Sequence, residues 1–130
     1  AQALGHQACL MGIKTQYVIT SRLFNQLKLA KVDGTYQKEL NKLLKNDLLI
    51  LDDFGLKAFD NHAREALMDI IEDRYNAKST IVSSQIPVST WYDIIGEGTI
   101  ADAILDRLVN SSHRINLKGE SLRKDILNEN

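Results

Sequence analysis

Residues 48–55 read LLILDDFG, four consecutive apolar side chains running directly into two aspartates. An unbroken apolar run of strand length is satisfied only when both faces of the strand are buried, the condition met in parallel sheets covered by helices. Three further stretches read as strands: TQYVIT (15–20), STIVSSQ (79–85, ended by Pro87) and HRINL (113–117). Helical periodicity fills the intervals. Leu4, Ala8 and Met11 share a face over 1–11, with Gly12 as the stop. Ser21 is expected to cap a helix carrying Leu23, Leu27 and Ala30, which VDGT (32–35) ends as a turn. Tyr36, Leu40, Leu43 and Leu44 mark a helix over 35–45, and Asp60 or Asn61 caps one to about Tyr75 through Ala63, Leu67, Ile70 and Ile71. Thr99 is expected to cap the last, with Ile100, Ile104, Leu105 and Leu108 inward. This alternation predicts an α/β fold whose ligand chemistry gathers at the carboxyl ends of the strands. Asp52, Asp53, Ser84 and Gln85 all fall at such ends.

At 130 residues, 44% hydrophobic and 25% charged, the chain fits one globular domain, with 118–130 a polar tail that frays. A net charge of −1 gives no global case for nucleic acid, so any such surface is a local patch. A single cysteine, Cys9, excludes an internal disulfide and suits a reducing cytoplasm; its apolar neighbours favour a buried, inert thiol. His6, His62 and His113 lack ligand spacing, and no structural metal is expected. No apolar run reaches membrane-spanning length, and no signal peptide is visible. The chain opens on Ala1, which suggests a fragment or a trimmed chain.

Carboxylates delivered to a sheet edge can hold magnesium through water and polarise an attacking water. An apolar run followed by acids is the Walker B pattern. The plainer reading is a solvated strand end turning at Gly55. Receiver domains also pair aspartates, but after their first strand and with a further aspartate after a later one. Here the pair follows the second strand and no aspartate ends 79–85, so that reading ranks lower. A phosphate-binding Gly-x-x-x-x-Gly-Lys-Ser/Thr loop is absent; GIKT (12–15) inserts Ile13 and precedes a strand. Ser84 and Gln85 can hydrogen-bond a γ-phosphate or a water, or can simply close a turn. Arg107 is either a surface arginine paired with Asp102 or Asp106, or a finger reaching a neighbouring subunit's nucleotide. Lys38, Lys42 and Lys45 form a basic stripe, first read as a solvated helix face and otherwise as a DNA phosphate contact.

In chain order, GHQACLMG, LLILDDFG, STIVSSQIPV and ADAILDRLVNSSHRINLKGESLRK resemble the IstB-like ATPases, helpers of insertion-sequence transposition. These are AAA+ proteins related to DnaC-type helicase loaders. The resemblance covers essentially the whole chain, with Thr99 to Lys124 its most specific part. It implies a P-loop NTPase three-layer sandwich with ATP and Mg2+. Asp52 becomes the magnesium-side acid acting through water and Asp53 the acid that prepares water. Gln85 becomes the sensor with Ser84 beside it, Arg107 the finger acting on a neighbour, and Arg123 a nucleotide-sensing residue. The family's Walker A loop lies just before the helix containing ALGHQACLMG. The chain is therefore expected to be one partial AAA+ domain over 1–130, lacking the first core strand and the P-loop. That strand is central in the AAA+ order, so its loss predicts a gap beside 79–85, a rearranged sheet or a partner chain in the slot.

The expected function is ATP binding and hydrolysis by a bacterial, cytoplasmic transposition helper. It would act as a homo-oligomer on DNA with a transposase, while these residues alone bind ATP poorly. The alternatives are a replicative helicase loader, and a non-catalytic interaction module in which the two aspartates are structural.

Overall fold

The computed structural model describes residues 6–7, 10–96 and 98–108, and the backbone of 109–110. Three strands pair in parallel in the order β1-β2-β3: β1 (Thr15–Ile19), β2 (Leu48–Asp52) and β3 (Ser79–Val82). Helices α1 (Thr20–Asp33) and α2 (Tyr36–Leu44) connect β1 to β2, and α3 (Asn61–Arg74) connects β2 to β3. A 3-10 turn (Val88–Thr90), the short α4 (Trp91–Ile95), α5 (Gly98–Leu105) and a π-type turn (Asp106–Asn110) follow.

The apolar run makes β2 the middle strand. Leu49 and Leu51 point into a core with Leu23 and Leu27 of α1, Leu40 and Leu43 of α2, and Leu67 and Ile70 of α3. Ile50 alternates to the opposite face and is also fully buried, so β2 is covered on both sides. Full burial of each such side chain contributes about 1.5–3 kcal/mol. The register sets Ile19 opposite Asp52 and Tyr17 opposite Ile50. Tyr17, Ile50 and Asp52 therefore share the face turned away from Leu49 and Leu51.

Several boundaries differ from the sequence reading. β1 stops at Ile19 because Thr20 turns inward, and its hydroxyl donates to the Asp52 carbonyl at 2.7 Å. Helix α1 thus starts at Thr20, and Ser21 is not its cap. β3 ends at Val82 rather than 85. Ser83 N–H still reaches Leu51 O, after which the Ser84 side chain turns the chain away. Helix α5 starts at Gly98, so Thr99 lies inside it. The segment 88–95, unassigned from sequence, is helical: Trp91 and Ile95 are buried, and Trp91 packs 4.7 Å from the Phe54 ring. Asp60 caps α3 as expected, its carboxylate accepting from Ala63 N–H at 2.7 Å. Of the expected helix 1–11, the Met11 N–H bond to Gln7 O and Gly12 at φ 81° mark its end. Cys9, His113, Arg123, the expected strand 113–117 and the tail 118–130 lie outside the described residues.

Candidate functional site

Asp52 sits at the carboxyl end of β2 with both carboxylate oxygens engaged: the Tyr17 phenol donates to one, and the Asp53 N–H donates to the other at 2.9 Å. Burial pushes the Asp52 carboxyl up, but these hydrogen bonds outweigh it and hold the group below the usual carboxylate range. The result is an ionised acid with a set orientation at the sheet edge.

Asp53 adopts φ 54° and Gly55 φ 85°, so the chain reverses sharply after the strand. Aspartate is among the few side chains that enter this region readily. The φ of Gly55 favours glycine, and a Cβ there would lie 2.6 Å from Ile86 Cδ1, so the end of that side chain would have to shift. Asp53 is half-buried and borders a cleft of about 120 Å³ between the starts of α1 and α3, lined also by Asn25, Lys28, Lys57 and His62. The Ser84 hydroxyl donates to Phe54 O at 2.5 Å and accepts from Ile86 N–H at 3.2 Å, latching the loop after β2 to the loop after β3. Gln85 follows that latch and is exposed. The structure thus gathers Asp52, Asp53, Ser84 and Gln85 at one end of the sheet.

Arg107 is elsewhere. It leaves the π-type turn toward the carboxyl end of α3, where Nη2 pairs with Glu72 at 2.9 Å and the guanidinium lies 5.4 Å from the Tyr75 ring. With Ile71, Lys78 and Thr80 it lines a pocket at the amino end of β3. In a parallel sheet this is the end opposite Asp52. The sequence-based pairing with Asp102 or Asp106 is replaced by the bond to Glu72. Lys38 and Lys42 on α2 and Lys45 at its C-cap are exposed, while Leu40 and Leu43 of the helix are buried, and Lys42 reaches Glu39 at 3.3 Å.

The IstB-like ATP binding protein family matches residues 1–129. The chain belongs to this family. It is 52% identical over 125 residues to an insertion sequence ATP-binding protein of Sinorhizobium fredii, covering 96% of this chain and 51% of that protein. It is 35% identical over 123 residues to the ATP-binding protein of insertion sequence IS5376 from Geobacillus stearothermophilus, covering 95% and 49%. The chain spans about half the length of the curated relatives it matches. AMPPCP-bound DnaA from Aquifex aeolicus superposes with a TM-score of 0.76 at 18% identity, over 98% of this chain and 39% of DnaA. A DnaC helicase loader gives 0.54 at 28% identity, over 92% and 59%. The fold of this IstB-like chain is that of the P-loop AAA+ proteins.

The carboxylates of Asp52 and Asp53 are oxygen donors of the kind that suits magnesium held through water. Both Asp52 oxygens already accept hydrogen bonds, which favours water-mediated contact over direct ligation by a crowded carboxylate. Among the described residues no group of three or more His, Cys, Asp or Glu side chains surrounds a metal position. No described helix is long and apolar enough to cross a membrane. Sequence reasoning missed Tyr17 and Thr20 as side chains that hold Asp52. The available signal was Tyr17 itself, a hydroxyl-bearing side chain on the face that the strand register gives to Asp52.

Proposed function

We propose that the intact protein hydrolyses ATP and that Asp52, Asp53, Ser84 and Gln85 form the hydrolysis side of its nucleotide site. The observation that carries this reading is the Asp52 carboxylate, fixed by the Tyr17 hydroxyl and the Asp53 N–H at the carboxyl end of the sheet, in a chain of the IstB-like family. Asp52 would hold magnesium through water, and the ion would supply positive charge that offsets the charge of the phosphates. Asp53 orients the attacking water and takes its proton. The Gln85 amide faces the terminal phosphate, and Ser84 keeps Gln85 in register with the acids. Arg107, at the far end of the sheet, serves the nucleotide of a neighbouring copy, so the working form is a homo-oligomer. Arg123 belongs to the same reading as a nucleotide-sensing group.

These 130 residues form a partial AAA+ domain and contain no Gly-x-x-x-x-Gly-Lys-Ser/Thr cradle, so alone they hold ATP weakly. The curated relatives belong to insertion sequences, which favours a cytoplasmic transposition helper acting on DNA with a transposase. Lys38, Lys42 and Lys45 are its candidate phosphate contacts. The likeness to the DnaC loader supports helicase loading as the second reading. Capture of a transposase or of a helicase by the full-length protein separates the two.

In the full-length protein, Asp53→Asn is expected to lower ATP turnover by roughly 100-fold or more while nucleotide binding persists. Unchanged turnover would leave the acids structural and the chain an interaction module. Mixing Asp53→Asn with Arg107→Ala protein should restore activity that neither has alone, because each supplies what the other lacks. No recovery on mixing would place the arginine outside a neighbour's site.

A further inference from the structure

Arg107 is held incompletely. It sits where α5 gives way to a π-type turn, a local widening that changes the direction of the side chain. Glu72 takes Nη2 at 2.9 Å, the Tyr75 ring supports the guanidinium, and Nη1 reaches Ala103 O only at 3.5 Å. The Nε atom is buried and finds no acceptor among the described residues. A guanidinium carries five donors in a planar fork, and a buried donor left unmet is costly. The ion pair is itself partly exposed, at 27% for Arg107 and 46% for Glu72, and exposed pairs hold weakly. This seat is easy to leave, and the arginine gains from a stronger acceptor elsewhere.

We propose that Glu72 is a positioning residue that holds Arg107 in a resting seat against Tyr75 and yields it to a phosphate presented by a neighbouring copy. The proposal rests on the reading of Arg107 as a group acting on that neighbour. Carboxylate and phosphate are both anionic acceptors for the guanidinium fork, so they compete for the same donors. The Tyr75 ring is uncharged and does not compete; it keeps the side chain near the pocket mouth. Glu72 therefore sets how readily the arginine is available and leaves affinity for ATP unchanged.

The test uses the full-length protein with Glu72→Gln, alone and combined with Arg107→Ala, assayed for ATP turnover across protein concentrations. Glu72→Gln should raise kcat by roughly two- to fivefold, the range carried by one partly exposed ion pair. KM for ATP should stay constant, and the protein concentration giving half-maximal rate should fall. Glu72→Ala, at the same exposed helix position, should give the same rise, and Glu72→Asp should remain near wild type. With Arg107→Ala present, Glu72→Gln should change nothing further. A kcat that is unchanged or lowered by Glu72→Gln, or an equal rise without Arg107, overturns the proposal while the site reading stands. Full turnover by Arg107→Ala alone overturns both.

Discussion

At the residue scale, the loop after β2 depends on two entries of the backbone into positive φ, at Asp53 and Gly55 on either side of Phe54. Gly55→Ala combines a strained conformation with a contact against Ile86, whose flexible end can give way. The expected loss is about 1–2 kcal/mol of stability, read from the urea midpoint of the protein. An unchanged midpoint would show that the loop relaxes to ordinary φ values without cost. Asp52 illustrates a different constraint at the same scale. Burial alone favours its neutral form, and donors from β1 and from the following residue help to reverse that preference. A carboxylate prepared in this way stays ionised without requiring an adjacent lysine or arginine.

At the scale of elements, α2 and α3 are joined by the Tyr36 hydroxyl donating to Asp69 at 2.7 Å. Burial first, then this bond and the charges of Asp69, Glu65 and Asp73, push the phenol pKa well above its ordinary value. A raised pKa means that the neutral phenol stabilises the fold fully below the ordinary value of about 10, and that this contribution is lost as pH rises beyond it. Tyr36→Phe should cost about 1 kcal/mol at neutral pH. It should also remove part of any decline in urea midpoint that sets in above about pH 10. An identical alkaline decline in the variant would assign that decline to other groups. The elements themselves were unequally legible. β2 and α3 could be read because a continuous apolar run and an aspartate cap are local signals. The end of β3 could not, because Ser83 continues the ladder through Leu51 while Ser84 leaves it, and both are serine. Helix α4 is five residues long and depends on Trp91 meeting Phe54, a contact across the fold. The two aspartates were evident from their place in the chain. The groups that hold Asp52, and the Glu72 partner of Arg107, were hidden because the register and the packing of α3, rather than sequence distance, bring them together.

At the scale of the whole molecule, buried Arg74 ties three elements at the amino end of the sheet. Its guanidinium donates to Leu43 O at 2.7 Å, Asn46 O at 3.0 Å and Ser79 O at 2.6 Å, and Nε donates to Thr80 Oγ1 at 3.0 Å. Arg74→Met keeps much of the volume but strands those acceptors, and should cost at least about 3 kcal/mol in denaturant unfolding. A loss below about 1 kcal/mol would mean that water replaces the guanidinium at these carbonyls. The clamp lies beside the seat of Arg107, so one end of the sheet carries Arg107 and the other carries Asp52 and Asp53. If the arginine serves a neighbour, the contact between copies is heterologous, and an assembly of such chains has a polarity. In a closed ring every acid pair meets an arginine. In an open filament the two terminal copies are unlike: one shows acids that no arginine reaches, and the other an arginine with nothing to act on. Activity per chain would then rise with the length of the filament, and the two ends would offer chemically different surfaces to anything that caps them.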